Sequence, residues 1–302
     1  MNLTRKIADK WNQFFFSRID PGPLGIFRIA LGIVALMCLV GRYHDRHFLY
    51  GAHAIISLKT DDQFFGTHAL TRWLYFYGMV PSHDPALMWF FIGLIAIAVC
   101  VTIGFYTRVN AVLLFLGLIA LSNRNFFCEN SGDDLLRIFC FFLMFAPAGA
   151  AYSVDQWFAG RRRRIVSQSS APRSNTMSAW PLRILQLQFA YVYLDTVYLK
   201  LHGTAWRHGT ALYYALNYLE FKRFQFPWLF HYLWQIRIET WAVLAVETAM
   251  FTLVWFRKFR RPVLLAALAL HLGIDLVMQF AIFQYVMIAG LATFLSPASR
   301  DS

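Results

Sequence analysis

The sequence predicts an all-α polytopic membrane protein, a bundle of about eight transmembrane helices with amphipathic helices at the interface. Hydrophobic residues make up 58% of the 302-residue chain, and charged residues make up only 15%. Several long stretches carry almost no charge, which is typical of membrane-spanning segments. No stretch alternates with the period of a barrel strand, and lipid offers no partner for unpaired backbone groups. Helices are therefore the expected spanning structure.

Eight apolar segments are predicted to be spans, at 22–41, 85–105, 109–122, 134–150, 181–201, 238–256, 262–280 and 282–296. About 20 residues are needed to cross a bilayer, so the third and the last segments are short. Prolines at 85, 181 and 262 are each typical of a first helical position. The sequence Ser131-Gly-Asp-Asp134 resembles a capping box before the fourth span.

Two further segments complete the predicted organisation. Residues 1–19 are predicted to form an amphipathic interfacial helix, because their apolar residues recur every four positions. Residues 20–299 are predicted to form the transmembrane domain, without a large extramembrane domain. Within it, the polar and basic residues 160–179 are expected to form a mobile cytoplasmic linker.

The distribution of basic residues predicts the orientation. More than half of the 28 Lys and Arg residues fall in segments that are cytoplasmic when the N-terminus is inside. The positive-inside rule then places both termini in the cytoplasm. The net charge of +12 is mostly this topology signal and not the footprint of a nucleic-acid partner. A compact chain without a cleavable signal peptide suggests a bacterial inner membrane.

The sequence carries no recognised motif for metal binding, phosphate binding or hydrolysis by a catalytic triad. The four cysteines and nine histidines show no recognised ligand spacing, so no metal site is predicted. No glycine-rich phosphate loop is present, and Ser131 has no histidine in a triad-like context.

Ionisable residues inside the spans mark the candidate site. An ammonium group at the rim of a membrane helix is costly in free energy unless it is paired, hydrated or part of a functional site. Lys200 is such a group. At about 1.5 Å per residue, the nearby spans place four more groups in the same outer half of the bilayer. These are Asp195, Glu247, His271 and Asp275. Two interpretations stay open: an ion-paired scaffold, and chemistry in which a neutral Lys200 acts as a base.

Three arginines also lie in predicted spans. Arg137 lies one turn after Asp133 and Asp134, so an intrahelical ion pair is expected. Arg183 can extend to the headgroups from the end of its span. Arg28 lies about two turns into the first span, and the sequence identifies no partner for it.

Short motifs along the chain resemble the HTTM family, the membrane domain shared with the vitamin K-dependent gamma-carboxylases. In order, they are Asp20-Pro-x-x-Leu24-Gly-Ile-Phe-Arg28, Phe48-Leu-Tyr50, Arg124-Asn125, Asn130-Ser-Gly-Asp133-Asp-Leu-Leu-Arg137, Pro147-x-x-x-x-Tyr152-Ser-x-Asp155, Lys200-Leu201-x-Gly203-x-x-Trp206-x-x-Gly209-Thr210, Glu247, His271-Leu272 and Phe283-x-Tyr285-x-Met287. Their order and spacing, more than any single motif, support the resemblance.

The resemblance implies a reaction and a cofactor. Lys200 matches the proposed base that starts oxygenation of a reduced, vitamin K-like quinone at an outward-facing site. The oxygenated quinone then removes a proton from a peptide glutamate, and CO2 adds to the carbanion. Lys200, His271 and Glu247 are the catalytic candidates. The candidates for substrate binding are Trp206, Asp195, Asp275, Tyr193 and Arg28.

Two departures from the family pattern bear on the peptide reaction. Val197 stands where glycine is common, and the chain ends at Ser302, soon after the last predicted span. The large lumenal region that holds the peptide substrate of the carboxylases is therefore expected to be absent.

Two functions remain open from the sequence. The first is a membrane enzyme that acts on a quinone or another lipid-soluble substrate, with Lys200 as base. The second is a non-catalytic membrane component of peptide maturation or export, with a secreted peptide or a membrane protein as partner. Transport has less support, because the broken helices and inverted halves of secondary transporters are not evident.

Overall fold

The computed structural model describes residues 3–56, 63, 76–166, 176–224 and 232–295. By its contacts the chain divides into two compact units, one running to Arg183 and the other covering Ile184–Ser296. The α-helices and strands are α1 Leu3–Phe16, β1 Arg18–Ile19, α2 Gly22–His44, α3 Arg46–Tyr50, α4 Asp84–Ile103, α5 Thr107–Arg124, α6 Ser131–Phe145, α7 Val154–Val166, β2 Met177–Ser178, α8 Trp180–His202, α9 Thr204–Arg207, α10 Ala211–Asn217, α11 Leu233–Thr252, α12 Arg257–Val277 and α13 Phe283–Leu291.

The predicted all-α class is confirmed. Among the described residues, three helical stretches are long and apolar enough to cross a membrane: Gly22–His44, Asp84–Ile103 and Leu233–Trp255. They coincide with the first, second and sixth predicted spans. Helices α5, α6, α8, α12 and α13 overlap the other five predicted spans, whose crossing of the membrane stays a prediction.

In the first unit, α2 packs against α4 and α6, and α5 packs against α4 and α6. One close approach is at Gly32 of α2, where a Cβ atom would overlap Thr102 of α4. Small residues let helix backbones approach this closely, which strengthens the van der Waals contact that holds helices together in lipid.

Arg28 joins the ends of several elements in this unit. Its fully buried guanidinium donates to the carbonyl oxygens of Ala148 at 2.7 Å, Ala151 at 3.1 Å and Tyr152 at 2.6 Å. Gly104, which ends α4 with φ +72°, leaves space for it, since a Cβ there would lie 2.6 Å from Arg28 Nη1. The partner that the sequence did not identify is thus a set of backbone carbonyls.

A second polar cluster lies where α2 ends and α6 begins. Arg42 contacts Glu129 at 3.2 Å and Asp133 at 2.9 Å, and Arg137 pairs with Glu129 and Asp134. The expected intrahelical pair of Arg137 is therefore confirmed with Asp134, whereas Asp133 pairs with Arg42.

The predicted capping box begins one residue earlier than the sequence indicated. Asn130 is the N-cap, and its side chain accepts a hydrogen bond from the Gly132 N–H at 2.8 Å, while Asp133 accepts from the Asn130 N–H at 3.0 Å. Asparagine caps a helix as well as serine does, so the pattern alone allowed both registers.

The N-terminal segment of the first unit is helical where an amphipathic helix was predicted. Exposed apolar residues Ile7, Trp11 and Phe16 lie along α1, and β1 pairs antiparallel with β2. Arg183 stacks on Phe14 at 4.6 Å and donates to its carbonyl oxygen. Of the predicted linker 160–179, residues 160–166 belong to α7 and 177–178 to β2, while 167–175 lie outside the described residues. The linker and the interfacial position of α1 stay predictions.

In the second unit, α12 packs against both α11 and α13, and α10 packs against α11. The prediction that Pro262 begins a helix is wrong: α12 begins at Arg257 and contains Pro262. Arg260 holds the turn before α12 by donating to the carbonyls of Val254 and Trp255, which favours the earlier start. Pro262 has no N–H to donate to the Lys258 carbonyl four residues before it.

Candidate functional site

Lys200 lies on the buried face of α8. Tyr193, Val197 and Lys200 follow one another at intervals of four and three residues, which places them on the same side of a helix. Tyr193 and Val197 are buried, whereas the Lys200 side chain is 22% exposed. The amine therefore continues an apolar stripe at the point where that stripe reaches the surface.

Glu247 is the ion-pair partner of Lys200. It lies on the buried face of α11, and its side chain is 9% exposed. Lys200 Nζ donates to Oε1 of this carboxylate. The second oxygen, Oε2, is buried without a hydrogen-bond partner in the described part of the chain. The pair is therefore satisfied on one side only.

Trp206 covers the ammonium from a third direction. The Lys200 Nζ atom lies 4.8 Å from the centroid of the indole ring, a geometry that attracts a cation. The chain turns back at Gly203, whose N–H donates to the Lys200 carbonyl at 2.9 Å. A Cβ at Gly203 would lie 3.3 Å from both that carbonyl oxygen and the Trp206 ring, so glycine leaves room for these two groups to approach.

A buried hydrogen-bonded chain extends from Tyr193. Its hydroxyl lies 2.8 Å from His271 Nε2, and His271 Nδ1 lies 2.6 Å from Gln284 Oε1. Because an amide oxygen only accepts, Nδ1 carries the proton, and Nε2 accepts from the tyrosine hydroxyl. All three side chains are buried. Burial disfavours the charged imidazolium, so this bonding fits the neutral imidazole with its proton on Nδ1.

The lysine pair and the histidine chain interact electrostatically. Glu247 interacts with the Tyr193 hydroxyl, and Lys200 interacts with the His271 ring. Lys200 and Glu247 thus form a direct pair in the second unit, and the hydrogen bond between Tyr193 and His271 lies within electrostatic range of that pair.

Asp275 belongs to a neighbouring contact instead. It accepts from the Tyr285 hydroxyl at 3.0 Å and lies 3.8 Å from Arg223. Backbone bonds fix Arg223 there, since its N–H donates to the Val277 carbonyl at 3.1 Å. Asp275 therefore anchors a surface segment to the end of α12, and no described contact joins it to Lys200.

Asp195 and Arg28 make no described contact with this group. Asp195 is exposed on α8, and within the described ranges no ion pair or hydrogen bond holds its carboxylate. Arg28 belongs to the first unit, where backbone carbonyls occupy its guanidinium. Their predicted roles in substrate binding stay predictions.

Sequence reasoning missed Gln284, which sets the tautomer of His271. A glutamine in an apolar helix is the signal that could have found it, because a buried amide needs a partner. Tyr285, which stands in one of the family-like motifs, holds Asp275. No cluster of three metal-ligating side chains occurs among the residues that the structure describes.

Comparison with known proteins agrees with the resemblance found in the motifs. No curated protein and no solved structure matches the chain. A family model, described as the HTTM domain, matches residues 16–298, which is nearly the whole chain. Together with the long apolar helices, this match identifies an integral membrane protein that belongs to the HTTM domain family.

Proposed function

We propose that this protein is an integral membrane enzyme that acts on a reduced quinone or another lipid-soluble substrate, with Lys200 as the base. The observation that carries the proposal is the setting of the Lys200 amine. It is largely sheltered, paired with a buried carboxylate and covered by Trp206. Ionisable groups held in this way within membrane helices are functional far more often than ion pairs on a soluble surface.

The Lys200–Glu247 pair can hold the proton that Lys200 must release before it acts as a base. Lysine is a base only when its amine is neutral, and the ion pair becomes neutral when the shared proton moves to Glu247. The unpartnered Oε2 atom of Glu247 offers a second position for that proton. The neutral amine can then accept the proton of a substrate hydroxyl, and the ammonium that forms lies beside the Trp206 ring and the protonated Glu247, with the substrate oxyanion as its counter-ion.

Tyr193 and His271 are proposed to position the base and its partner. Both are buried, and the neutral His271 uses its single N–H on Gln284, so its Nε2 atom accepts from Tyr193 and donates no proton there. The substrate-binding roles of Trp206, Asp195, Asp275, Tyr193 and Arg28 remain part of the proposal.

The proposed overall reaction is oxygenation of a hydroquinone. One O2 molecule oxidises the reduced quinone, one of its oxygen atoms enters the quinone epoxide, and the other leaves as water. Lys200 starts this reaction by removing a hydroxyl proton, since the quinolate reacts with oxygen more readily than the neutral hydroquinone. Carboxylation of a peptide glutamate, as the family resemblance implies, would follow from the strongly basic oxygenated intermediate.

The proposed topology places this site outside the cytoplasm. The proposed topology has eight transmembrane helices and both termini in the cytoplasm, and the proposed location is a bacterial inner membrane. The support is the excess of Lys and Arg in the segments that this orientation places inside. Labelling in intact cells tests it with one cysteine, at residue 5 or at residue 208, in a chain whose own four cysteines are replaced by serine, and label is expected at 208 only.

Lys200→Arg separates a base from a structural cation. Arginine keeps the positive charge, the ion pair with Glu247 and the ring contact, but it does not lose its proton in proteins. Purified protein with reduced quinone and oxygen is expected to form epoxide, and both Lys200→Arg and Lys200→Met are expected to form none. Lys258→Met, which removes an exposed lysine in the same unit, is the matched control and is expected to keep wild-type turnover.

The competing candidate is a non-catalytic membrane component of peptide maturation or export. The Lys200–Glu247 ion pair itself favours it, because a paired lysine can serve packing alone. On that candidate, Lys200→Arg keeps full function in cells and the protein co-purifies with a membrane partner. Epoxide formation by wild-type and Lys200→Arg protein alike would contradict the role of Lys200 as base.

A further inference from the structure

A hollow in the first unit lies along one face of α7. It has a volume of about 650 Å³ and is lined by Tyr152, Ser153, Gln156, Trp157, Gly160 and Arg161. Each of the last five residues lies three or four positions from another of them, so they share one side of the helix. A volume of this size is typical of sites for small ligands.

The hollow lies beside the ends of several helices, which hydrogen bonds join to the start of α7. Asp155 accepts bonds from the Tyr106 and Thr107 N–H groups at 2.8 and 2.9 Å, which fixes the start of α7 to the start of α5. The Tyr152 carbonyl binds Arg28 of α2, and the Asp155 N–H donates to Gly104 at the end of α4. Helices α2 and α4 are both able to cross a membrane, so the hollow lies near the membrane surface.

The chemistry of the lining combines exposed aromatic rings with a cation. Tyr152 and Trp157 are more than half exposed, as Trp and Tyr side chains commonly are at the level of lipid headgroups. The Arg161 guanidinium lies 5.4 Å from the Trp157 ring centroid. No carboxylate pairs with Arg161 in the part of the chain that the structure describes, and three more arginines follow it in sequence.

From this combination we propose that the hollow binds the headgroup of an anionic phospholipid. Arg161 contacts the phosphate, as guanidinium groups do with two parallel hydrogen bonds, and the rings lie against the glycerol and the upper acyl chains. Clusters of basic residues on a helix at the membrane surface attract anionic lipids in the same way. This lipid site is independent of the reaction proposed for Lys200.

Gly160 offers a test that separates the hollow from the charge. A Cβ at this position meets no atom within 4 Å, so a larger side chain fits without strain and fills the space. Gly160→Leu therefore blocks the hollow and keeps every arginine, whereas Gly160→Ala leaves most of the space open. Arg161→Gln removes the charge and keeps the hollow.

The experiment is native mass spectrometry of the full chain in detergent, titrated with phosphatidylglycerol or phosphatidylcholine. We expect wild-type protein to bind phosphatidylglycerol about tenfold more tightly, because only this lipid carries a net charge. Arg161→Gln is expected to weaken phosphatidylglycerol binding about fivefold. Gly160→Leu is expected to weaken it at least as much, while Gly160→Ala and the exposed Arg207→Gln bind like wild type.

Three results would overturn the proposal. The first is equal binding of the two lipids by the wild-type protein. The second is equal binding of phosphatidylglycerol by Gly160→Leu and Gly160→Ala, which would mean that the hollow is not the site. The third is displacement of phosphatidylglycerol by an equal concentration of soluble glycerol phosphate, which would assign the site to a free phosphate ester. Melting temperatures of all variants show whether each one is folded.

Discussion

Replacing Arg28 by methionine should destabilise the first unit strongly. The substitution keeps most of the side-chain volume but removes the donor from three close hydrogen bonds, to Ala148, Ala151 and Tyr152. A hydrogen bond to a charged group contributes about 1.5–3 kcal/mol, although the contributions of bonds that share one donor group do not add. A buried acceptor left without its donor costs about 1–3 kcal/mol, and three are left here, so we expect a total loss of about 3–5 kcal/mol.

The assay is thermal unfolding of the purified protein in detergent, followed by a probe placed in the first unit. For a unit of this size a loss of 3–5 kcal/mol corresponds to a lower midpoint by roughly 10 °C. Arg28→Lys should fall between wild type and methionine, because one ammonium cannot reach all three carbonyls in the fork geometry of a guanidinium. The control is Arg108→Met, which removes an exposed arginine and should leave the midpoint within about 2 °C of wild type.

One result would refute this reasoning. If Arg28→Met and Arg108→Met unfold at the same temperature, the buried guanidinium does not hold the ends of α2 and α4 to the chain that precedes α7.

Two further predictions concern the packing around these sites. Tyr193→Phe should lower the free energy of unfolding by about 1–3 kcal/mol, because it leaves His271 Nε2 buried without its donor; an unchanged denaturation midpoint would mean that this hydrogen bond is replaced in solution. Gly104→Ala should lower the free energy of unfolding by more than about 1 kcal/mol, because φ at Gly104 is +72° and the new Cβ would crowd Arg28. Gly160→Ala should instead stabilise α7 slightly, because its Cβ meets no other atom. Equal melting temperatures for the two glycine variants would contradict this account.

Much of the secondary structure was predictable from local pattern. Apolar runs between punctuating residues located the helices, and the first two candidate spans begin within one residue of the predicted positions. Depth arithmetic also predicted that Glu247 and Lys200 share the outer half of the bilayer, and the structure pairs the two side chains. Pro262 misled the same reasoning, since a helix can continue through a proline when neighbouring contacts stabilise its first turns.

The choice among equivalent partners was not predictable. Glu247 and Asp275 were both predicted to share the outer half of the bilayer with Lys200, so either carboxylate could have been its partner. The structure pairs Glu247 with the lysine, while Asp275 contacts Tyr285 and Arg223. Which carboxylate faces the amine depends on the rotation of α11 and α12 about their axes, and the pattern of apolar residues defines that rotation only broadly.

By itself, the sequence of this HTTM domain protein determined the class of fold, the membrane setting and the residue around which the candidate site is built. Those properties follow from composition, from spacing along one helix and from the high cost of a charge in lipid. Tertiary structure alone decided that backbone carbonyls accept the hydrogen bonds of Arg28 and that Gln284 sets the tautomer of His271. The reason is physical: every residue has a carbonyl, and an amide can bond many groups, so only the packing of distant segments selects the partner.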